Sequence, residues 1–233
     1  HLLNDDNKFS ISPDYTIYDT HGGWVSPYCT DINNDGILDF IKIETEIKTG
    51  LRKHQKSTIS IFIAKKDGSY DNNPNQSFET TSLPLLHNLL VDIDGDELKD
   101  LILVDPITKG FSVGSIINKF LRKGIDANIL VLPFNEGYSE KKMLKKVKMK
   151  FLKGIPINLE GDFNGDVKKD LLIIDEGTIK IFQLINLNKG FSRRPEFIIK
   201  IHNLNSYIVQ DVNNNNKSDV IVFSGSEIKF ILF

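Results

Sequence analysis

One cysteine, Cys29, among 233 residues excludes an internal disulfide and any zinc cage built on thiolates. No run in the sequence approaches the roughly 18 consecutive apolar residues that a membrane-spanning helix requires. An excess of basic charge is also missing: 29 Lys and Arg face 31 Asp and Glu, for a net charge of −2. That balance argues against a dedicated nucleic-acid binder, whose affinity comes mainly from basic side chains on phosphates. Helical periodicity is nearly absent; Ser115–Lys123, with Ile116, Ile117, Phe120 and Leu121, is the one stretch that reads as a short amphipathic helix. It lies in a long insertion, Asp105–Asp126, where packing on its own sheet is the expected role. The five histidines (His1, His21, His54, His87, His202) have no metal or catalytic spacing, and no Gly-x-Ser-x-Gly elbow supplies a nucleophile to the His21-Gly22-Gly23-Trp24 run. The chain opens on His1 with no signal-peptide pattern, as expected of a processed or excerpted sequence. What remains, 40% hydrophobic and 26% charged residues, is the composition of a folded globular chain.

The acidic residues carry an internal repeat. Asp31-Ile-Asn-Asn-Asp-Gly-Ile-Leu-Asp39, Asp92-Ile-Asp-Gly-Asp-Glu-Leu-Lys-Asp100, Asp162-Phe-Asn-Gly-Asp-Val-Lys-Lys-Asp170 and Asp211-Val-Asn-Asn-Asn-Asn-Lys-Ser-Asp219 align without gaps. Each has Asp at positions 1 and 9, Asp or Asn at 3 and 5, and apolar residues at 2 and 10. They start 61, 70 and 49 residues apart, about the length of a four-stranded propeller blade with variable loops.

An apolar run follows each loop: Phe40–Ile43, Leu101–Val104, Leu171–Ile174 and Val220–Phe223. Short β-branched runs bounded by turn formers predict buried strands. Second strands are predicted at Ser57–Ala64, Ala127–Phe134, Thr178–Leu184 and Glu227–Phe233. Three repeats continue through Lys66–Tyr70, Asn135–Tyr138 and Asn188–Phe191 into a further strand. Lys141–Lys153 holds seven lysines, but Val147, Met149 and Phe151 alternate with Lys146, Lys148 and Lys150, as in a half-buried outer strand whose lysines discourage edge-to-edge association. The chain is therefore expected to be all-β.

Oxygen ligands at positions 1, 3, 5 and 9, completed by the backbone carbonyl of position 7, suit a hard cation, above all calcium. The predicted ligands are Asp31, Asn33, Asp35, Ile37 (carbonyl) and Asp39; Asp92, Asp94, Asp96, Leu98 (carbonyl) and Asp100; Asp162, Asn164, Asp166, Lys168 (carbonyl) and Asp170; and Asp211, Asn213, Asn215, Lys217 (carbonyl) and Asp219. An EF-hand would need Glu at position 12, where these loops have Lys42, Leu103, Ile173 and Val222. The second loop carries four carboxylates, the first and third three, and the fourth two, so three to four calcium sites are expected with the fourth weakest. The competing explanation is four Asn/Asp turns that support themselves through side-chain-to-backbone hydrogen bonds.

With these residues in place, the chain resembles the FG-GAP or VCBS repeats of calcium-binding β-propellers, the type found in integrin α-subunit heads and many bacterial surface proteins. The likeness covers essentially the whole chain. Gly occupies position 6 only at Gly36; Glu97, Val167 and Asn216 stand there in the other loops, and a positive φ at that position would strain Val. The second and third loops have Gly95 and Gly165 at position 4 instead. The resemblance implies one propeller domain with blades near 20–80, 81–152, 153–202 and 203–233, the last completed by 1–19. It also implies a non-enzymatic, extracytoplasmic adhesion or interaction module that meets a protein or glycan on an exposed loop face. A lectin using Trp24, Tyr28 and Tyr138, or part of a carbohydrate-active enzyme, is the alternative. Closure of a four-blade ring predicts that Phe9–Asp19 pairs with Glu227–Phe233; otherwise the repeats are an arc of a larger ring.

Overall fold

The computed structural model describes residues 24–45, 56–80, 89–106, 125–149, 157–175 and 177–233. Every element among them is a strand, and every strand pair is antiparallel. The chain divides into two compact units, His1–Thr49 with Gln55–Thr81, and Gly50–His54 with Ser82–Phe233.

The first unit contains one four-stranded meander in the order β1 (Trp24–Thr30), β2 (Asp39–Thr45), β3 (Ser57–Phe62), β4 (Gln76–Thr80). Its central strands carry the β-branched runs, and Ile41, Ile43, Ile59 and Ile61 are all buried. The acidic loop connects β1 to β2. At this same end of the sheet, the Tyr70 hydroxyl donates to the Leu38 carbonyl at 2.6 Å and ties the turn after β3 to the loop.

The second unit repeats this plan. Strands β5 (Leu90–Val91), β6 (Asp100–Pro106), β7 (Ile125–Leu132) and β8 (Lys142–Met149) form one meander. The next meander has the order β9 (Ile157–Asn158), β10 (Leu171–Asp175), β11 (Thr178–Phe182) and, at its outer edge, β14 (Phe197–Lys200). Between β11 and β14 the chain makes a small separate hairpin, β12 (Leu184–Asn186) with β13 (Gly190–Phe191). The Asn188–Phe191 turn thus belongs to this hairpin, and the further strand expected after it is β14. The last sheet has three strands, β15 (Leu204–Gln210), β16 (Asp219–Ser224) and β17 (Glu227–Ile231). Predicted and observed second strands agree within two residues at their starts. The predicted partner of β17, Phe9–Asp19, and the predicted helix Ser115–Lys123 lie outside the described residues.

Strand β8 departs from simple alternation. A register shift opposite Ile129 and Leu130 brings both Leu144 and Val147 into the core, while Met143 is turned out. Lys145 is half-buried: its Nζ donates to the Ser192 carbonyl at 2.6 Å and lies 3.9 Å from the centre of the Phe182 ring. Rather than only guarding an edge, this lysine fastens β8 to the third repeat, and burial pulls its ammonium below the usual lysine range. Gly190 on the hairpin approaches β8 so closely that a Cβ would fall 2.0 Å from the Leu144 carbonyl oxygen. Met149 and Phe151, the other expected inward residues, have side chains outside the described set.

The last two sheets share a core. Phe163, Leu172, Ile179 and Ile181 pack with Val220 and Val222, with Tyr207, Val209, Ile231 and Phe233 against them. Phe233 stands edge-on to Phe163 and Phe197, at ring separations of 5.2 and 4.8 Å. Side chains of this size contribute about 1.5–3 kcal/mol each on burial, which makes this junction a main source of the unit's stability.

Candidate functional site

All four acidic loops adopt the same backbone. Position 4 has positive φ in each (Asn34 57°, Gly95 83°, Gly165 82°, Asn214 59°), and so does position 6 (Gly36 84°, Glu97 70°, Val167 75°, Asn216 64°). Gly and Asn enter the left-handed region at low cost, whereas a β-branched Val does not. The strain at Val167 is local, since its side chain is 63% exposed and lies near Gly95 of the preceding loop. Val167→Asn is therefore expected to raise stability by about 1 kcal/mol. Denaturant unfolding measures this; a loss of stability would show that the contact with Gly95 outweighs the strain.

The position 1 carboxylate is the hub of each turn. Asp31 accepts from the amides of Asp35 and Gly36, Asp92 from Gly95, Asp96 and Glu97, Asp162 from Gly165, Asp166 and Val167, and Asp211 from Asn215 and Asn216. The position 5 side chain accepts from the position 7 amide in every loop: Asp35 from Ile37, Asp96 from Leu98, Asp166 from Lys168 and Asn215 from Lys217. These are Asx-type bonds, and they hold the loops' curvature.

Position 9 has a role that the sequence pattern did not show. Asp39, Asp100, Asp170 and Asp219 are fully buried. One oxygen of each accepts from the position 2 amide (Ile32, Ile93, Phe163, Val212), at 2.8 to 3.1 Å. The other accepts from an amide just past the third strand of the same sheet (Ala64, Phe134, Leu184, Phe233), at 2.9 to 3.0 Å. The carboxylate is thus a fixed link between the loop and its own sheet. Burial raises the carboxyl pKa of Asp100 to about 7 and of Asp170 to about 6, against the lowering effect of those two amides. Burial also raises Asp39.

Neighbouring loops of the second unit are joined through their backbones. The Lys169 amide of the third loop donates to the Ile93 carbonyl of the second at 2.9 Å, and the Ser218 amide of the fourth donates to the Asp162 carbonyl of the third at 2.6 Å. Ser218 also accepts the Asp162 amide on its Oγ at 3.0 Å. Position 8 of one loop therefore grips position 1 or 2 of the loop before it. This contact was not legible from residue type, because backbone amides make most of it.

The loops differ in how their remaining polar groups are met. In the first, the Asn33 amide donates to Asp35 Oδ2 at 3.0 Å. In the third, Lys168 Nζ lies 2.8 Å from Asp166 Oδ2. In the fourth, Asn215 Nδ2 donates to the Phe233 carbonyl at 2.7 Å. In the second loop, Asp94 Oδ1 is buried and has no hydrogen-bond partner. Oxygens of Asp92, Asp94 and Asp100 all fall within 4.8 Å of one another, the one such group of three His, Cys, Asp or Glu side chains among the described residues. Burial, then the charges of Asp96 and Asp92, push the Asp94 carboxyl up. Asp96 stays outside this convergent group and is exposed, so the expected four-carboxylate cage is drawn in by three.

Of the aromatics expected on a ligand face, Tyr138 is buried, edge-on to Phe134 at 5.1 Å, and donates its hydroxyl to the Lys99 carbonyl at 3.0 Å. It has the same tie to position 8 that Tyr70 makes in the first unit, so its hydroxyl serves the fold. Comparison with protein-family models, curated proteins and solved structures finds no match to this chain.

Proposed function

We propose that this chain is a calcium-stabilised β-propeller of FG-GAP or VCBS type, acting outside the cytoplasm as an adhesion or interaction module in which the metal is structural. Four antiparallel meanders with an acidic loop between first and second strand, and the hand-to-hand bonds joining successive loops in the second unit, support the repeat architecture. Ring closure through Phe9–Asp19, or membership of a larger ring, belongs to the same proposal. The observation that carries the metal reading is Asp94, whose carboxylate has a buried oxygen, Oδ1, without a donor and which converges with two further carboxylates. Such a group costs the fold unless a cation meets it. Asp92, Asp94 and Asp100 would hold the ion, with Asp96 and the Leu98 carbonyl in reach of the same loop. An oxygen-only set suits calcium, and three carboxylates in an exposed loop suit the millimolar levels outside cells.

The test uses Asp94→Asn. Calcium at about 100 times its dissociation constant adds about 2.7 kcal/mol, a rise of roughly 5–10 °C in Tm for a chain of this size. The variant is expected to lose that rise. In metal-free buffer it should melt at or above the wild-type temperature, because it no longer buries an unmet charge. Equal calcium stabilisation of both proteins would refute the site.

A further inference from the structure

We propose that the outer face of the last sheet docks a second copy of this chain, the two last sheets packing face to face about a two-fold axis. This rests on the reading of the chain as an array of stacked repeats and says what adjoins the array at its last sheet. Strand register places Ile221 between Ile208 and Phe230, and Phe223 beside Ile228, on the face turned away from the buried Val220 and Val222. Ile208, Ile228, Phe230 and the following Leu232 are 46%, 59%, 61% and 58% exposed. Their counterparts in the preceding sheets are covered. Ile102, Val104, Ile129 and Val131 of the second meander are fully buried, as are Leu172, Ile179 and Ile181 of the third, which pack against the last sheet itself. In this fold that face is built to be covered, and a stacked array needs a polar face where it meets water. The last sheet has an apolar one.

The loops argue against another repeat docked there in the way that the third and fourth are docked. Where one loop of the second unit is followed by the next, position 4 is glycine: a Cβ on Gly95 would stand 3.1 Å from Val167 Cγ1, and one on Gly165 3.4 Å from Lys217 Cγ. The last loop has Asn214 at that position, and its side chain would fill the space that a following loop needs. Like face on like face needs no docked loop. The strand pairings Ser206–Phe223–Ile228 and Ile208–Ile221–Phe230 carry no charge, and Glu227 and Lys229, on the opposite face of β17, pair with each other at 2.8 Å. Two copies therefore meet on this face without repulsion, as an isologous contact requires. The exposed side chains offer a few hundred Å² of apolar surface, the size that marks interaction sites. That is about half of the roughly 800 Å² per partner in a standard interface, so rim residues supply the rest and a micromolar rather than nanomolar dimer is expected.

The test is sedimentation velocity of the whole chain across the micromolar range. Wild type is expected to pass from monomer to dimer within it. Phe230→Glu, which puts a charge at the centre of the face, should stay monomeric throughout. Its Tm should equal that of wild type at concentrations where both are monomers, because the side chain it replaces is exposed. Ile198→Glu, at a residue equally exposed on β14 but outside this face, should dimerise like wild type. A wild type that is monomeric across the whole range would overturn the proposal, and a Phe230→Glu variant with lowered Tm would then show that a sheet of the same chain covers the face. A dimer that survives Phe230→Glu would overturn it as well. Asp94→Asn should dimerise like wild type, so the calcium site and the dimer are read separately and either can fail without the other.

Discussion

Asp170→Ala is expected to cost the fold about 3–5 kcal/mol, the largest effect of any single substitution in the acidic loops. The carboxylate is fully buried, and its two oxygens receive the Phe163 and Leu184 amides at 3.0 Å each. Alanine leaves both N–H groups buried without acceptors, and each such group costs about 1–3 kcal/mol. The Phe163 amide belongs to the residue whose ring anchors the core between the last two sheets, so loosening the loop also loosens that packing. Asp170→Asn keeps one acceptor oxygen but turns an amide N–H₂ toward the other donor, and an intermediate loss is expected. Asp219→Ala should cost less, since the Val212 and Phe233 amides that it strands are only part-buried and water can meet them. By charge count Asp219 belongs to the weakest ligand set, yet it makes the same two-amide link between loop and sheet as the others. Denaturant unfolding with and without calcium measures these losses. A cost below about 1 kcal/mol in metal-free buffer would mean that water reaches these amides and the carboxylates do not hold the loops.

Much of this arrangement could be read from residue order. The period-2 and continuous apolar runs located the central strands because burial on a sheet face leaves a direct mark on sequence. The spacing of Asp31, Asn33, Asp35 and Asp39 and its three copies marked the loops because each side chain makes its own bond. The need for positive φ at position 6 was legible through Gly36, and Val167 shows the exception that tertiary structure tolerates. Position 4 was less visible, since Asn34 and Asn214 are also frequent in ordinary turns. Three features left no mark. The β12–β13 hairpin depends on how closely Gly190 can approach β8, a tertiary fit rather than a local propensity. The bulge in β8 falls at Leu144, ahead of the expected alternation, in which Lys146 is exposed and Val147 buried as read; partner-strand register sets it. Position 9 was read as a ligand alone; a carboxylate that bonds two distant amides is identical in sequence to one that binds an ion.

The second large effect is a pH dependence that changes sign with calcium. In metal-free protein, the Asp100 carboxyl titrates at about 7 and that of Asp170 at about 6, raised by burial, whereas an unfolded aspartate titrates near 3.9. A folded-state pKa above the unfolded one means that folding takes up protons. The contribution to stability is therefore fully present below about pH 4 and is lost as pH rises through about 6 for Asp170 and about 7 for Asp100. Within that window each unit of pH is worth up to about 1.4 kcal/mol per group. Metal-free protein should accordingly melt at a higher temperature at pH 5 than at pH 7.5. Calcium at the second loop reverses this for Asp100, because the ion stabilises the ionised carboxylate and must displace its proton. With millimolar calcium, stability from the second loop should rise from pH 5 to 7.5, and Asp94→Asn should return the profile to the metal-free form. Melting curves at both pH values, in metal-depleted buffer and in calcium, give four numbers that decide the matter. If metal-free stability rises with pH across that interval, the buried position 9 carboxylates are solvated well enough to ionise freely. The link between loop and sheet would then be a charged one from the start.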